Sequence, residues 1–446
     1  MAASADDILT LAKLLEQIRS PDGGLRLFWL LFPFFLLVDL PLALIVTLGV
    51  FRWWVREHTL IAKTSLYHPR VSCIVPCYTE GFEVQKTFST LVEQTYKGEI
   101  EIIPVIDGAS QNRITMQAVR QFRIDQALHP RRLFRPLAKW QRGGRVSTLN
   151  AGLSMSTGEI VIALDGDTSF DNNTISSIAR HFEDPNVPAV AGSLRVRNAW
   201  QSLATVLQAI EYCLSIQMAK IGFSEINAIN NISGAFGAFR RSVLVQIGGW
   251  DTHTAEDFDL TIRIKNYFAR NPKLRIPFEP RAIGHTDAPA TFQALFQHRL
   301  RWDGDLLFIY ARKHPGSLSP SLMGWSNYLM MIYSGIFVQV ISPFIIVGYT
   351  FVCLLTLPLE TVVALFVFMY LFYLAVSYVM FFYYLVMVSE RARKDARLLW
   401  LIPLFPVGAF AIRCWSSVAM LNEWWRRGHE ESSMAPYWVL RGAKRF

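Results

Sequence analysis

IVIALDGDTSF, residues 160–170, joins an apolar run to two aspartates that are separated only by a glycine. Two similar runs precede it, VSCIVPCY (71–78) and EIEIIPVID (99–107), and each is followed by a stretch compatible with a helix. Short β-rich runs that alternate with helices predict a mostly parallel sheet covered by helices. Ligands bind beyond the carboxyl ends of such strands, so we expect Asp107 and the two aspartates of 160–170 to converge at one edge of the sheet.

The two aspartates, Asp165 and Asp167, form a D-x-D pattern that indicates a cation site. Gly166 gives the backbone the freedom to turn both carboxylates toward one ion. Because Mg²⁺ or Mn²⁺ is normally shared between one or two carboxylates and substrate phosphates, the pair suggests a diphosphate ligand. Taken alone, the pattern also fits a solvated turn.

Two later motifs offer groups for proton transfer and binding. In AEDFDL (255–260), apolar residues at helical spacing follow Glu256 and Asp257, so Asp257 is expected near a helix N-terminus, ionised and able to accept a proton. SGAFGAFRR (233–241) contains Gly234 and is small enough to let a ligand approach the backbone closely. A tight turn between two elements explains this second motif equally well.

The motif QHRLRW (297–302) follows an amphipathic stretch. Arg301 can pair with a diphosphate oxygen, and Trp302 offers a flat apolar face of the kind that stacks on a sugar ring. Arginine and tryptophan are also ordinary anchors of an interfacial membrane helix, and both interpretations can hold together.

The composition is that of an integral membrane protein, because 52% of the 446 residues are hydrophobic and only 18% are charged. The apolar residues are concentrated in 27–51, which a single charge interrupts, and in 327–388, which also carries one charge. A membrane helix needs about 20 apolar residues. The first stretch therefore predicts one span, and the second predicts two, at 327–356 and 361–388.

Basic residues that follow the first and third predicted spans indicate that both of those ends lie in the cytoplasm. The polar block between them is then expected on the same side of the cell's inner membrane. These loops and a basic tail explain the net charge of +9, and no basic stripe with interleaved aromatics indicates nucleic acid. The five cysteines form no CxxC pair and are expected to be free thiols.

Two further segments are expected to lie at the membrane, in addition to an interfacial connection at 313–326. Residues 1–26 contain a helical pattern with one apolar face. The stretch 399–421 contains two prolines and Arg413 and precedes the basic tail, 422–446. The positive-inside pattern favours a re-entrant or interfacial segment here, with a fourth crossing as the alternative.

The order of the motifs is more specific than any motif alone. P-C-Y-T-E, V-I-D-G-A-S, G-G-R-V-S-T-L-N-A-G, D-G-D, S-G-A-F-G-A-F-R-R, A-E-D and H-R-L-R-W follow one another within residues 69–312. In this order the chain resembles the processive family-2 membrane glycosyltransferases, which include the synthases of cellulose, chitin, hyaluronan and poly-N-acetylglucosamine. The resemblance implies a cytoplasmic α/β domain of GT-A type at 69–312, inserted between transmembrane helices.

The resemblance also implies roles for the carboxylates. Asp107 would contact the uridine of a UDP-sugar, and Asp165 and Asp167 would contact its diphosphate and metal, Mg²⁺ or Mn²⁺. Asp257 would be the general base. The remaining substrate contacts implied by the resemblance are Arg145, Gly234, Glu256, Arg301 and Trp302.

The chain departs from the family pattern at three positions. The glutamine that begins the family's Q-x-x-R-W motif is His298 here, with Gln297 one residue earlier, which puts the acceptor contacts at that position in doubt. Ala255 replaces a threonine, and Arg145 replaces a lysine. All of the central carboxylates are present.

These observations predict an inverting transferase that adds sugars from a UDP-sugar donor to a growing polysaccharide and moves the β-linked polymer across the lipid bilayer. The motif forms and the short tail most resemble synthases of poly-N-acetylglucosamine, an exopolysaccharide of biofilms, with a possible accessory secretion subunit. Three alternatives remain open: a cellulose-, chitin- or hyaluronan-type synthase, transfer of one sugar to a lipid acceptor, and a non-catalytic membrane scaffold.

Overall fold

The computed structural model describes residues 35–59, 66–252, 254–431 and 435–436. Its core is an α/β domain built on a nine-stranded sheet. The strands are β1 Val71–Cys77, β2 Ile100–Ile106, β3 Arg132–Phe134, β4 Leu137–Ala138, β5 Ile160–Leu164, β6 Ser169–Phe170, β7 Ala189–Val196, β8 Phe236–Arg240 and β9 Phe278–Thr286.

Helices cover the sheet and flank the domain on both sides along the chain. The α-helices are α1 Leu40–Thr59, α2 Val84–Val92, α3 Arg113–Gln121, α4 Gly144–Met155, α5 Thr174–Ala179, α6 Leu203–Glu211, α7 Ala219–Glu225, α8 Arg241–Gln246, α9 Glu256–Lys265, α10 Phe292–Leu307, α11 Pro320–Met323, α12 Trp325–Met330, α13 Ser342–Thr356, α14 Leu359–Met387, α15 Ala392–Asp395 and α16 Phe405–Arg426. Segments of 3₁₀ or π helix adjoin several of them, at Phe35–Asp39, Gly81–Glu83, Arg180–Glu183, Tyr212–Met218, Phe308–Lys313, Met331–Ile341, Ala396–Leu404 and Gly428–Glu431.

The sheet is mixed and mostly parallel, as the sequence predicts. Its strand order is β3-β2-β1-β5-β8-β7-β9-β6, with β4 beside β2. β1 runs parallel to β2 and β5, whereas β8 runs antiparallel to both β5 and β7. Strands β2 and β7 are buried along their whole length. This burial explains their nearly continuous apolar sequence, because helices cover both faces of the sheet.

The strand register aligns the ends that carry the polar motifs. Cys77, the last residue of β1, pairs with Ile106, the last residue of β2. On the other side of β1, the last residue of β5, Leu164, pairs with Phe236, the first residue of β8. The residues that follow β2 and β5 therefore lie at one edge of the sheet, together with the residues that precede β8.

Four helical segments within the described residues are long and apolar enough to span a membrane: Leu37–Thr59, Trp325–Thr356, Leu359–Met387 and Ala392–Arg426. The second segment contains the whole of the predicted span 327–356, and the third contains all but the last residue of the predicted span 361–388. The stretch 399–421, for which three possibilities were open, lies within the fourth, so the alternative of a crossing has a helix of sufficient length. Residues 1–34, which include the predicted amphipathic segment and the start of the first span, lie outside the described part of the chain, as does most of the basic tail.

Two close contacts attach the α/β domain to these apolar helices. Gly49 of α1 faces Gly222 of α7 so closely that a Cβ on Gly49 would lie 2.7 Å from the Gly222 Cα. Small residues permit such backbone approach between helices. In the second contact, Trp415 Nε1 of α16 donates to the Phe296 carbonyl of α10 at 2.8 Å. The helix that carries QHRLRW is therefore packed directly on the fourth apolar segment.

Candidate active site

Asp107 is buried at the end of β2, where the start of α4 surrounds its carboxylate. The backbone N–H groups of Gly143 and Gly144 donate to Oδ1 and Oδ2 at 2.9 and 2.8 Å, and Lys139 Nζ donates to Oδ1 at 2.8 Å. Gly144 has a φ of +82°, a conformation that favours glycine. The position of the Asp107 carboxylate is thus fixed by protein donors, and its oxygens keep lone pairs for a further donor.

The guanidinium of Arg145, one residue into α4, joins three of the predicted motifs. Its Nη1 pairs with Asp165, its Nε donates to Glu256 Oε1 at 2.6 Å, and its Nη2 donates to the Gly234 carbonyl at 2.6 Å. Burial raises the pKa of Glu256 above its usual value, although the nearby guanidinium opposes this rise. Arg145, predicted as a substrate contact, therefore holds the site together through protein acceptors.

Asp165 and Asp167 follow β5 around a tight backbone turn. A Cβ on Gly166 would lie 2.9 Å from the Pro76 carbonyl, so only glycine allows β1 and this turn to approach so closely. Asp167 is exposed at the mouth of the site, where partial desolvation and the neighbouring Asp165 raise its pKa. The two carboxylates are therefore adjacent and mutually repulsive.

Glu80 is a third carboxylate at this edge, and sequence reasoning gave it no role. The Tyr78 N–H donates to Glu80 Oε2 at 2.6 Å, which turns the side chain back toward the end of β1. Burial raises the pKa of Glu80, and the charges of Asp167 and Asp165 raise it further. Its position three residues after an apolar strand is the feature of the sequence that could have identified Glu80 as a residue of this edge.

The donor set fits a hard divalent cation that is shared with a substrate. Among the residues that the structure describes, no group of three or more histidine, cysteine, aspartate or glutamate side chains forms a complete metal cage. Mg²⁺ and Mn²⁺ nevertheless bind through one or two carboxylates when phosphate oxygens fill the other positions. Asp165 and Asp167 supply such a pair, and the negative charge concentrated around them favours a cation.

Asp257 is the second residue of α9 and is partly exposed. Its Oδ2 accepts from Asn231 Nδ2 and from the Gly234 N–H, both at 3.1 Å, and its Oδ1 accepts from the Phe258 N–H at 2.8 Å. The prediction that it lies at a helix N-terminus is confirmed. Asn231 was not predicted, because nothing in its local sequence indicates that it faces α9.

Arg301 and Trp302 lie on a different element, helix α10. Arg301 Nη2 donates to His298 Nε2 at 3.2 Å, and Trp302 packs on the His298 ring at 4.2 Å between centroids. Burial, together with Arg301 and Arg299, lowers the pKa of His298 to about 4, so its ring is neutral and can accept this hydrogen bond. Within the described residues, no hydrogen bond or ion pair joins Arg301 or Trp302 to the aspartates of the sheet edge.

The family was established by comparison with known proteins. The family model described as glycosyl transferase family group 2 matches residues 160–412, more than half of the chain. The chain belongs to this family. The resemblance inferred from the order of motifs is thereby confirmed, and the match includes the D-x-D turn, α9, α10 and most of the apolar helices.

Two curated relatives resemble this chain over about half of its length. A poly-β-1,6-N-acetyl-D-glucosamine synthase of Staphylococcus epidermidis is 32% identical over 233 residues, 52% of this chain and 53% of that protein. A protein of the same name from Staphylococcus aureus strain COL is 29% identical over 236 residues, with the same coverage. The matched region thus spans about half the length of these relatives.

A solved structure shows the same fold. A mannosyltransferase from Pyrobaculum calidifontis, solved in complex with GDP-Man and Mn²⁺, has a TM-score of 0.50 and 19% identity to this chain. The similarity covers 87% of this chain and 98% of the mannosyltransferase. The prediction of a GT-A type α/β domain with membrane helices in the same chain is confirmed at the level of the fold.

Proposed function

We propose that the protein is an inverting, processive glycosyltransferase that polymerises a β-linked polysaccharide from a UDP-sugar and moves the product across the membrane. The guanidinium of Arg145 is the observation that carries this proposal, because it brings the D-x-D turn and the start of α9 to one edge of the sheet. A donor diphosphate at Asp165 and Asp167 would then lie beside Asp257, a carboxylate able to accept a proton.

The reaction requires one base and no protein nucleophile. As a hydroxyl of the acceptor bonds to the anomeric carbon of the donor, Asp257 accepts the hydroxyl proton and the bond to the diphosphate breaks, leaving its electron pair on UDP. The three donors to Asp257 hold its carboxylate in one orientation. A single displacement inverts the anomeric centre, so an α-linked donor gives a β-linkage.

The remaining residues of the proposed site bind and orient. Asp107 would hold the uridine and Arg301 would pair with the diphosphate, while Trp302, with 36% of its surface exposed, would stack on the sugar at the acceptor end. A Mg²⁺ or Mn²⁺ ion bound by Asp165 and Asp167 would neutralise the charge that develops on the leaving diphosphate.

The Staphylococcus relatives support UDP-N-acetylglucosamine as the donor, because both are named as synthases of poly-β-1,6-N-acetyl-D-glucosamine. The four apolar helices support a membrane location, and the basic residues after the first and third of them support a cytoplasmic location of the α/β domain. A polar polymer made there needs a protein-lined path through the bilayer. The packing of α10 on α16 supports a path of this kind close to the proposed acceptor residues, and an accessory secretion subunit could extend it.

The experiment that tests this function supplies the purified full-length chain with each UDP-sugar in turn, plus Mg²⁺ or Mn²⁺. UDP release and product mass are measured together. We expect UDP-N-acetylglucosamine to support UDP release and a long polymer. A product carrying one added sugar on a lipid would favour the non-processive alternative, and absence of UDP release from every donor would overturn the proposal.

A further inference from the structure

Helix α10 carries two buried aspartates that face different neighbours. Asp303 and Asp305 are 8% and 6% exposed. Asp303 Oδ2 accepts from Ser416 Oγ of α16 at 2.7 Å. Asp305 Oδ1 accepts from the Thr254 hydroxyl, which belongs to the loop that leads into α9. One aspartate therefore joins α10 to an apolar helix, and the other joins it to the start of the helix that carries Asp257.

The loop before α9 has an unusual backbone that needs support. Ala255, the residue before α9, has a φ of +49°. This is the left-handed region of the backbone, which residues other than glycine adopt at an energetic cost. The hydroxyl of Thr252 donates to the Thr254 carbonyl at 2.6 Å. Glu256 and Asp257 follow Ala255 directly. The contact between Thr254 and Asp305 thus constrains the residues that set the direction of the first turn of α9.

The packing and the charges around Asp305 are consistent with a structural link between Thr254 and Asp305. Ala255 and Leu306 lie in one small apolar cluster with Ile262, so the loop, α9 and α10 meet at a buried apolar interface. Burial raises the pKa of Asp305 to about 8; the Thr254 hydroxyl and Arg301 oppose this rise, and the charges of Glu256 and Asp257 add to it. Asparagine is therefore a close substitute at this position in both shape and charge.

We infer that Asp305 is a positioning residue, which through Thr254 holds the proposed base Asp257 in register with the acceptor residues of α10. Arg301 lies one helical turn before Asp305 on the same helix. The inference rests on the proposed function and adds to it a device that couples proton abstraction to acceptor binding. Without the contact, the base and the acceptor helix would move independently, and water would compete with the acceptor for the donor sugar.

The test measures, for purified full-length variants, the fraction of UDP-N-acetylglucosamine turnover that ends in polymer and the fraction that ends in hydrolysis. We expect D305A and T254V to lower transfer by on the order of 10- to 100-fold, because small misplacements of reacting groups are costly, while donor KM changes little. Hydrolysis should persist, so its share of turnover rises. D305N and T254S keep the hydrogen bond and should keep the wild-type fraction of transfer.

Two controls keep the inference open to contradiction. D303A removes an equally buried aspartate from the same helix and breaks its hydrogen bond with Ser416, but it leaves the contact between Asp305 and Thr254 in place, so it should leave the transfer fraction unchanged. The double variant D305A/T254V should lose no more transfer than either single variant, since both remove one contact. An active wild type whose D305A and T254V variants keep the normal transfer fraction would overturn the inference and leave the proposed function standing. If D305A does not fold, the comparison of T254V with T254S decides the matter.

Discussion

The two halves of the candidate site are held in different ways. In the donor half, Arg145 directly joins the D-x-D turn, the start of α9 and the segment before β8, all at one edge of a buried sheet. In the acceptor half, Arg301 and Trp302 lie on a helix that meets this edge through the buried contact of Asp305 with Thr254. The proposed donor half is therefore held by direct side-chain contacts, whereas the proposed acceptor half depends on helix packing. Substitutions in the two halves should separate donor chemistry from elongation.

The largest effect is expected at Asp257, the proposed base, where the two halves meet. D257N keeps the shape of the side chain but cannot accept the proton of the acceptor, so turnover should fall by a factor on the order of 100 or more while donor affinity hardly changes. UDP-sugar binding and UDP release measured on the same preparation test this. E99Q, which weakens a surface ion pair with Arg70 before the start of β2, serves as the control. Weakened donor binding with turnover preserved would move Asp257 into the donor site.

The next effect tests the donor half alone. D167N removes the exposed carboxylate of the D-x-D turn and leaves the pairing of Asp165 with Arg145 in place, so the fold should be retained. We expect the Mn²⁺ concentration needed for half-maximal UDP-sugar binding to rise by about tenfold or more, because few protein ligands hold the ion. D171N, four residues later and paired with His285, is the matched control. An unchanged metal dependence in D167N would rule out this cation site.

Substitutions in the proposed acceptor half should change total turnover less, but should change the length of the product strongly. W302A removes the proposed stacking face and leaves the base and the D-x-D turn intact, so polymer length should collapse while slow hydrolysis of the UDP-sugar persists. Product size and UDP release are compared with W400A, which removes a tryptophan that is 87% exposed on a different segment. Full-length polymer from W302A would remove this residue from the acceptor site.

The smallest effect concerns pH and His298. Its pKa of about 4 in the folded protein lies below the ordinary value near 6.5, so the unfolded chain binds a proton more readily between these values. His298 therefore lowers the stability of the folded state as the pH falls from about 6.5 toward about 4. In H298Q this contribution is absent, and the melting temperature should fall less between pH 7 and pH 5. Parallel pH curves for the two proteins would show that His298 is not held neutral.

The donor half could be predicted from sequence because its residues follow apolar strands. Asp107 and Asp165 come directly after buried strands, and parallel pairing brings such ends together. Asp257 could be placed by the helical spacing that follows it. The family, the sheet and the helices at the second and third spans followed from the same patterns.

The connections between these residues could not be predicted. The bond of Arg145 to the Gly234 carbonyl depends on β8 running antiparallel beside β5, a crossover that no local pattern encodes. Asn231 and Asp305 act through tertiary contacts, and each resembles an ordinary polar residue of a loop or a helix in the sequence. The sequence does not decide whether the stretch 399–421 crosses the membrane. Its prolines and the basic residues after it disfavour a crossing, whereas its length and hydropathy favour one.

The most direct test of the account follows the length of the product during the first turnovers. The wild-type protein, in excess over limiting UDP-N-acetylglucosamine with Mn²⁺, is sampled over time for UDP released, sugar incorporated and polymer mass. The account predicts one UDP for each sugar incorporated into β-linked polymer, with long chains present while most of the protein has yet to start one. Products that grow by one sugar at a time across the whole population, or that stop after a single sugar, would contradict it.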